Sequence, residues 1–183
     1  MFFAWLSFAF LVAATVLLVR LHLLFTGITP MSGPVNMLGE TRYHPYFRAM
    51  GAALGLAAFA LAVGLARATD ATSIAWLSIY GGARVAIAGF EVNPRQTAAA
   101  GWLHVALVVL AFAAIAFAGI KLEWDGDPGA LRPFGYVVAI AALAALVTRV
   151  VPALRGAFGV AERALYVTSI AWLGIAAVDL IVK

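Results

Sequence analysis

The fold class this sequence predicts is all-α: a polytopic membrane bundle of six transmembrane helices. Composition is the first observation behind it. Of 183 residues, 65% are hydrophobic and 11% charged, whereas a soluble domain carries about 25% charged residues to cover its water-facing surface. The second is the recurrence of apolar runs near 20 residues in length, each long enough to cross roughly 30 Å of hydrocarbon. The third is an internal echo. The hexapeptide TSIAWL occurs at 72–77 and again at 168–173, which raises a 3+3 inverted repeat of the kind found in transporters as a candidate symmetry.

The spans are expected at about 2–25, 47–66, 73–90, 99–120, 134–151 and 160–181, within a single domain covering residues 1–183. The first apolar run lacks a positively charged leader and a small-residue cleavage site, so it is kept as a helix rather than a signal peptide. The loop after it, ITPMSGPVNMLGETRYHPY, holds three prolines and two glycines and is expected to be irregular. The second span carries Gly51 and Gly55 in GAALG, a spacing that lets helix backbones approach closely. RATD is a tight turn, EVNPRQ links the third and fourth spans, and KLEWDGDPGALRP is an acidic, turn-rich loop. Trp5, Trp76, Trp102, Trp124 and Trp172 are read as an aromatic belt near span ends.

Charge bounds the partners. With no cysteine in the chain, disulfides and thiolate metal sites are excluded. The net charge of +4 favours anionic lipid headgroups, and no basic run outside the spans suggests nucleic acid. Six spans put both termini on one side. The opposite side then collects Arg20, Arg42, Arg48, Arg84, Arg95, Arg149, Arg155, Arg163 and all three histidines. Counted by the positive-inside rule, that side is cytoplasmic.

This charged side is also where a site is expected. Arg84 near the end of the third span, His104 early in the fourth, Arg149 near the end of the fifth, and Glu162 with Arg163 opening the sixth fall at one level of one leaflet. Ionisable groups at membrane depth are costly unless paired or reached by water. A contact of Arg84 with Glu162 or Glu91 is one expectation; snorkelling of each arginine to the headgroups is the plainer one. The first loop, through Asn36, Arg42 and His44, is the candidate cap that would add hydrogen bonds to a headgroup. His22, His44 and His104 with a carboxylate would suit an open zinc site, but no close spacing motif supports it. Ser32 with His44 or His104 would suit a hydrolase, but nothing resembles a nucleophile elbow.

Several elements in order resemble a bacterial membrane family known as domain of unknown function 998. They are Asn36-Met37-Leu38-Gly39 in the first loop and the glycine-rich second helix GAALGLAAFALAVGL. Gly89-Phe90-Glu91-Val92-Asn93-Pro94 follows the third, His104 stands in GWLHVAL, and Glu162, Arg163 and Trp172 lie in the last helix. The serine common in the first-loop element is missing here, and Asn93 stands where an aspartate is usual. The resemblance covers nearly the whole chain and implies six spans, without implying an activity.

The expected function is therefore a non-enzymatic protein of the bacterial inner membrane that binds an anionic amphiphile or lipid headgroup, through Arg84, Glu91, His104, Arg149, Glu162, Arg163, Asn36, Arg42 and His44. No cofactor is expected. The partner is membrane lipid, with a homo-oligomer or a larger membrane complex as a further possibility. A small transporter, a metal- or histidine-dependent lipid hydrolase and a structural subunit are the alternatives.

Overall fold

The apolar runs form long helices because a backbone in hydrocarbon must satisfy its own hydrogen bonds. In the computed structural model, which describes residues 1–24, 28, 33, 35–89, 98–122 and 131–182, six such helices follow one another. They are α1 (Phe2–Leu23), α2 (His44–Leu65), α3 (Ala71–Gly89), α4 (Ala98–Lys121), α5 (Leu131–Val150) and α6 (Phe158–Val182). Two short 3₁₀ helices, Val35–Glu40 and Pro152–Ala157, precede α2 and α6. No strand occurs among the described residues. Five of the long helices, all but α3, are long and apolar enough to cross a membrane. In α3, Ser73, Ser78, Tyr80, Arg84 and three glycines dilute the apolar character.

Local chemistry sets several helix ends. α2 begins at His44, three residues before the expected span, with Pro45 in its first turn, where a missing N–H does no harm. Asp70 caps α3. Its Oδ1 accepts from the amides of Thr72 at 2.8 Å and Ser73 at 3.0 Å, and its Oδ2 lies 2.6 Å from the Ser73 hydroxyl. Those donors hold its carboxyl below the usual aspartate range, the Ser73 hydroxyl contributing most. At the other end of α3, Arg48 of α2 donates from Nε to the Ala88 carbonyl at 2.7 Å, satisfying an orphan acceptor of the last turn.

Cross-helix contacts fix the topology. Ser7 of α1 donates to the Ala57 carbonyl of α2 at 2.9 Å. The Ser73 hydroxyl at the start of α3 lies 3.1 Å from the Lys121 carbonyl at the end of α4. At the opposite end, Arg48 meets Ala88, and Arg163 early in α6 meets His22 late in α1. The chain thus runs up and down, each helix packs on the next, and α6 closes back on α1. The end where α1, α3 and α5 finish holds His22, Arg48, Arg84 and Arg149, and is called the polar end below.

Small residues make this packing close. A Cβ on Gly55 would lie 2.7 Å from the Gly81 carbonyl oxygen, and one on Gly81 would lie 2.8 Å from that of Gly55. Both glycines are therefore needed where α2 crosses α3. Gly119 and Gly135 stand in the same reciprocal relation between α4 and α5.

Two expectations need correction. The first loop is not irregular throughout, since Val35–Glu40 is 3₁₀-helical. Val35 and Leu38 are both buried, and the three-residue repeat of a 3₁₀ helix places them on one face. Trp172 is not an interfacial residue. It is fully buried near the middle of α6, whereas Trp5 and Trp102 face outward and Trp76 stacks on Phe117. Trp124 lies outside the described residues.

Gly81→Ala is expected to lower stability by about 1–3 kcal/mol through forced overpacking, read as thermal unfolding in detergent. Gly174→Ala, with nothing within 4 Å of its Cβ position, should leave stability unchanged or slightly raised. The Asp70 cap is complete above the ordinary aspartate range and is lost as the pH falls through the lowered value. The melting-temperature gap between wild type and Asp70→Ala should accordingly be open at neutral pH and close in acid.

Candidate functional site

α6 carries a polar stripe at helical spacing. Glu162, Tyr166 and Ser169 recur at four and three residues, so they share one face, and all three are buried. On α3, Tyr80 and Arg84 stand four apart and are buried too. These two stripes face each other. Arg84 donates from Nη1 to the Tyr166 hydroxyl at 2.8 Å, and its guanidinium carbon lies 4.7 Å from the centre of the Tyr166 ring. The expected Arg84–carboxylate contact with Glu162 is replaced by this tyrosine contact. Glu162 acts on Arg84 from beyond ion-pair distance, and Glu91 lies outside the described residues.

Glu162 has a different direct partner. Its Oε2 accepts from the backbone N–H of Val35 at 2.5 Å. With Glu162 3% exposed, this charge-assisted bond ties the 3₁₀ segment to α6 and satisfies a buried amide. Arg84, Arg163 and Arg149 all act on the same carboxylate electrostatically.

A pocket opens beside Glu162 between α4, α5 and α6. His104, Arg149 and Glu162 line its polar part. Val105, Val108, Val109 and Phe112 of α4 continue the wall toward the middle of the bundle, with Ala145 and Leu146 of α5 opposite and Phe158 of α6 beside Arg149. The Arg149 guanidinium carbon stands 5.5 Å from the centre of the Phe158 ring. A separate, smaller cavity lies behind Phe112, bounded by Tyr80, Arg84, Ile115, Leu165, Tyr166 and Ser169. Phe112 borders both.

Of the residues singled out from sequence, His104, Arg149 and Glu162 therefore meet at one pocket, and Arg84 stands in the cavity next to it. Arg163 turns away, because neighbouring residues on a helix point about 100° apart. It donates from Nε to His22 Nε2 at 2.8 Å and from Nη1 to the carbonyls of Gly33 and Gly159, each at 2.8 Å. His22 Nδ1 lies 2.8 Å from the Leu18 carbonyl. A carbonyl only accepts, so Nδ1 carries the proton and Nε2 is free to accept from Arg163. Arg163 and His22 thus fasten α6 to α1. Arg42 is exposed and donates to the Tyr43 hydroxyl at 2.6 Å, and His44 is exposed at the start of α2. Neither is among the described residues lining the pocket. The Asn36 side chain and Ser32 lie outside the described residues.

The three histidines do not converge. Among the described residues no group of three or more His, Asp or Glu is placed to hold a metal ion. Tyr80, Tyr166 and Ser169 were not anticipated, although the spacing of each from Arg84 or Glu162 was visible in the sequence.

Glu162→Ala should destabilise the protein by about 1–3 kcal/mol, since it leaves the Val35 N–H buried without an acceptor. Glu162→Gln keeps an acceptor and should lose less. Thermal unfolding together with amide exchange at Val35 checks this; equal stability and unchanged exchange in both variants would remove the anchor.

The family model described as "Protein of unknown function (DUF998)" matches residues 7–179. Comparison with curated proteins and with solved structures gives no significant match. The match takes in all of α2 to α5 and nearly all of α1 and α6, so the pocket and the cavity behind it lie within it: this multi-pass membrane protein belongs to the DUF998 family.

Proposed function

We propose that this protein binds the headgroup of an anionic membrane amphiphile, without chemical turnover, in the pocket between α4, α5 and α6. The observation that carries this reading is the division of that pocket. His104, Arg149 and Glu162 occupy its outer part at the polar end of the bundle, and valine, leucine, alanine and phenylalanine side chains line the way inward. A polar mouth leading to an apolar wall matches a molecule with a charged head and a hydrocarbon tail. The guanidinium of Arg149 suits phosphate or carboxylate because its fork meets two oxygens at once. His104 offers a further donor. The Glu162 carboxylate offsets part of the positive charge, and its Oε2 is bonded to the Val35 N–H.

In this reading all six helices cross the bilayer. α3 is the most polar of them, yet Ser73, Tyr80 and Arg84 are all buried, and its two ends meet opposite ends of the bundle. The polar end, richer in arginine, faces the cytoplasm of a bacterial inner membrane. The transporter alternative draws little from the TSIAWL echo, which begins at the second residue of α3 but the eleventh of α6. The hydrolase alternative retains His104 beside Glu162, and among the described residues no group of three or more His, Asp or Glu is placed to hold a metal ion.

Native mass spectrometry of the full chain in mild detergent tests the proposal. The expected result is one retained anionic lipid per chain, reduced at least tenfold in His104→Ala combined with Arg149→Glu and retained in Arg42→Ala. An empty wild type, or a lipid that survives the double substitution, would overturn it.

A further inference from the structure

The second cavity, behind Phe112, has a different chemistry from the lipid-facing pocket. Arg84 is 4% exposed. One of its N–H groups reaches Tyr166, but its Nε is buried with no hydrogen-bond partner among the described residues. The Ser169 hydroxyl, 1% exposed, is likewise buried without a partner. Both residues line the same small space, together with Tyr80 and Tyr166. Buried donors are rarely left unmade in a folded protein. Two of them on one cavity, contributed by helices from opposite halves of the chain, mark a polar site.

Charge narrows the occupant. A buried guanidinium without a counter-charge is strongly unfavourable. Among the described residues Arg84 has no carboxylate in ion-pair contact. Glu162, which acts on it from further away, is shared with Arg149 and Arg163 and bonded to Val35. A neutral water would fill the donors and leave the charge uncompensated. A monovalent anion does both. Size narrows it again, for the space admits about one water-sized body. Carboxylate and phosphate groups are too large. The lining is otherwise Phe112, Ile115 and Leu165, a poor environment for a strongly hydrated ion and a tolerable one for a compact, weakly hydrated monatomic anion.

We infer that the cavity between α3, α4 and α6 is a halide-binding site, in which Arg84 supplies the charge and the hydroxyls of Ser169 and Tyr80 donate to the anion. The duplicated hexapeptide supports this assignment. In the α3 copy Ser73 is engaged with Asp70 and the Lys121 carbonyl, and Trp76 stacks on Phe117. In the α6 copy Ser169 and Trp172 are buried, with Oγ and Nε1 unpartnered among the described residues. One copy closes a helix end, and the other brings an unengaged hydroxyl to the cation. The two spaces share Phe112 but no polar lining residue, so the tests of each are distinguishable.

The experiment is thermal unfolding of the purified full chain in sodium chloride, sodium bromide and sodium gluconate at equal ionic strength, with crystals grown in bromide for anomalous scattering. The melting temperature should rise and saturate with halide but not with gluconate, as mass action on a folded-state site requires. Ser169→Ala and Tyr80→Phe, which keep Arg84 and the fold, should each raise the half-saturating halide concentration about tenfold. His104→Ala with Arg149→Glu should leave it unchanged. A bromide peak bounded by Arg84, Tyr80 and Ser169 would support the site. Equal stability in all three salts, a halide response lost with the pocket substitutions instead, or a cavity holding only non-anomalous density of a water would overturn it.

Discussion

Arg84 presents the problem that the packing around it answers. A guanidinium enclosed by apolar helices is costly in hydrocarbon, where no bulk water shares the charge. Its surroundings follow from that constraint. Gly51 on α2 leaves room beside its Nη2, and the Gly55–Gly81 crossing brings α2 and α3 close enough to enclose it. Tyr166 takes one of its donors and offers a ring face to its cation. Glu162, one turn before Tyr166 on the same face of α6, adds a negative charge at longer range. α3 tolerates its polar residues because they point into the bundle.

Glu162 couples this interior to the surface. Its bond to Val35 draws the 3₁₀ segment onto the polar end, where Val35 and Leu38 bury against the bundle. The same carboxylate lines the pocket beside His104 and Arg149. One residue thus anchors a loop, borders a candidate lipid site and interacts electrostatically with three arginines. Its neighbour Arg163 performs a mechanical task instead, joining α6 to α1 through His22 and completing the ring of helices.

Much of the site was legible as a level in the membrane rather than as contacts. Arg84, His104, Arg149 and Glu162 share a level because each lies within about two turns of the same end of its helix. Arg163 shares that level but points toward α1, since adjacency in sequence is divergence on a helix. Arg42 and His44 fall at the right level too, yet they sit exposed before and at the start of α2. Tyr80, Tyr166 and Ser169 were overlooked because tyrosine and serine are common in membrane helices and carry no charge to attract notice. Trp172 looked interfacial only because tryptophan so often is.

The sequence by itself determined the class: few charges, repeated apolar runs and closely spaced glycines allow little besides a helical membrane bundle, since hydrocarbon forces each run to close its own backbone hydrogen bonds. Family membership was likewise legible, from the order of several weak local signatures. The tertiary structure decided what those helices do with their polar residues. Which face of α6 meets α3, whether Arg84 finds a carboxylate or a tyrosine, and whether one polar cavity forms or two depend on the rotation of each helix about its axis. That rotation is set by side-chain packing between helices distant in sequence, which no single apolar run encodes.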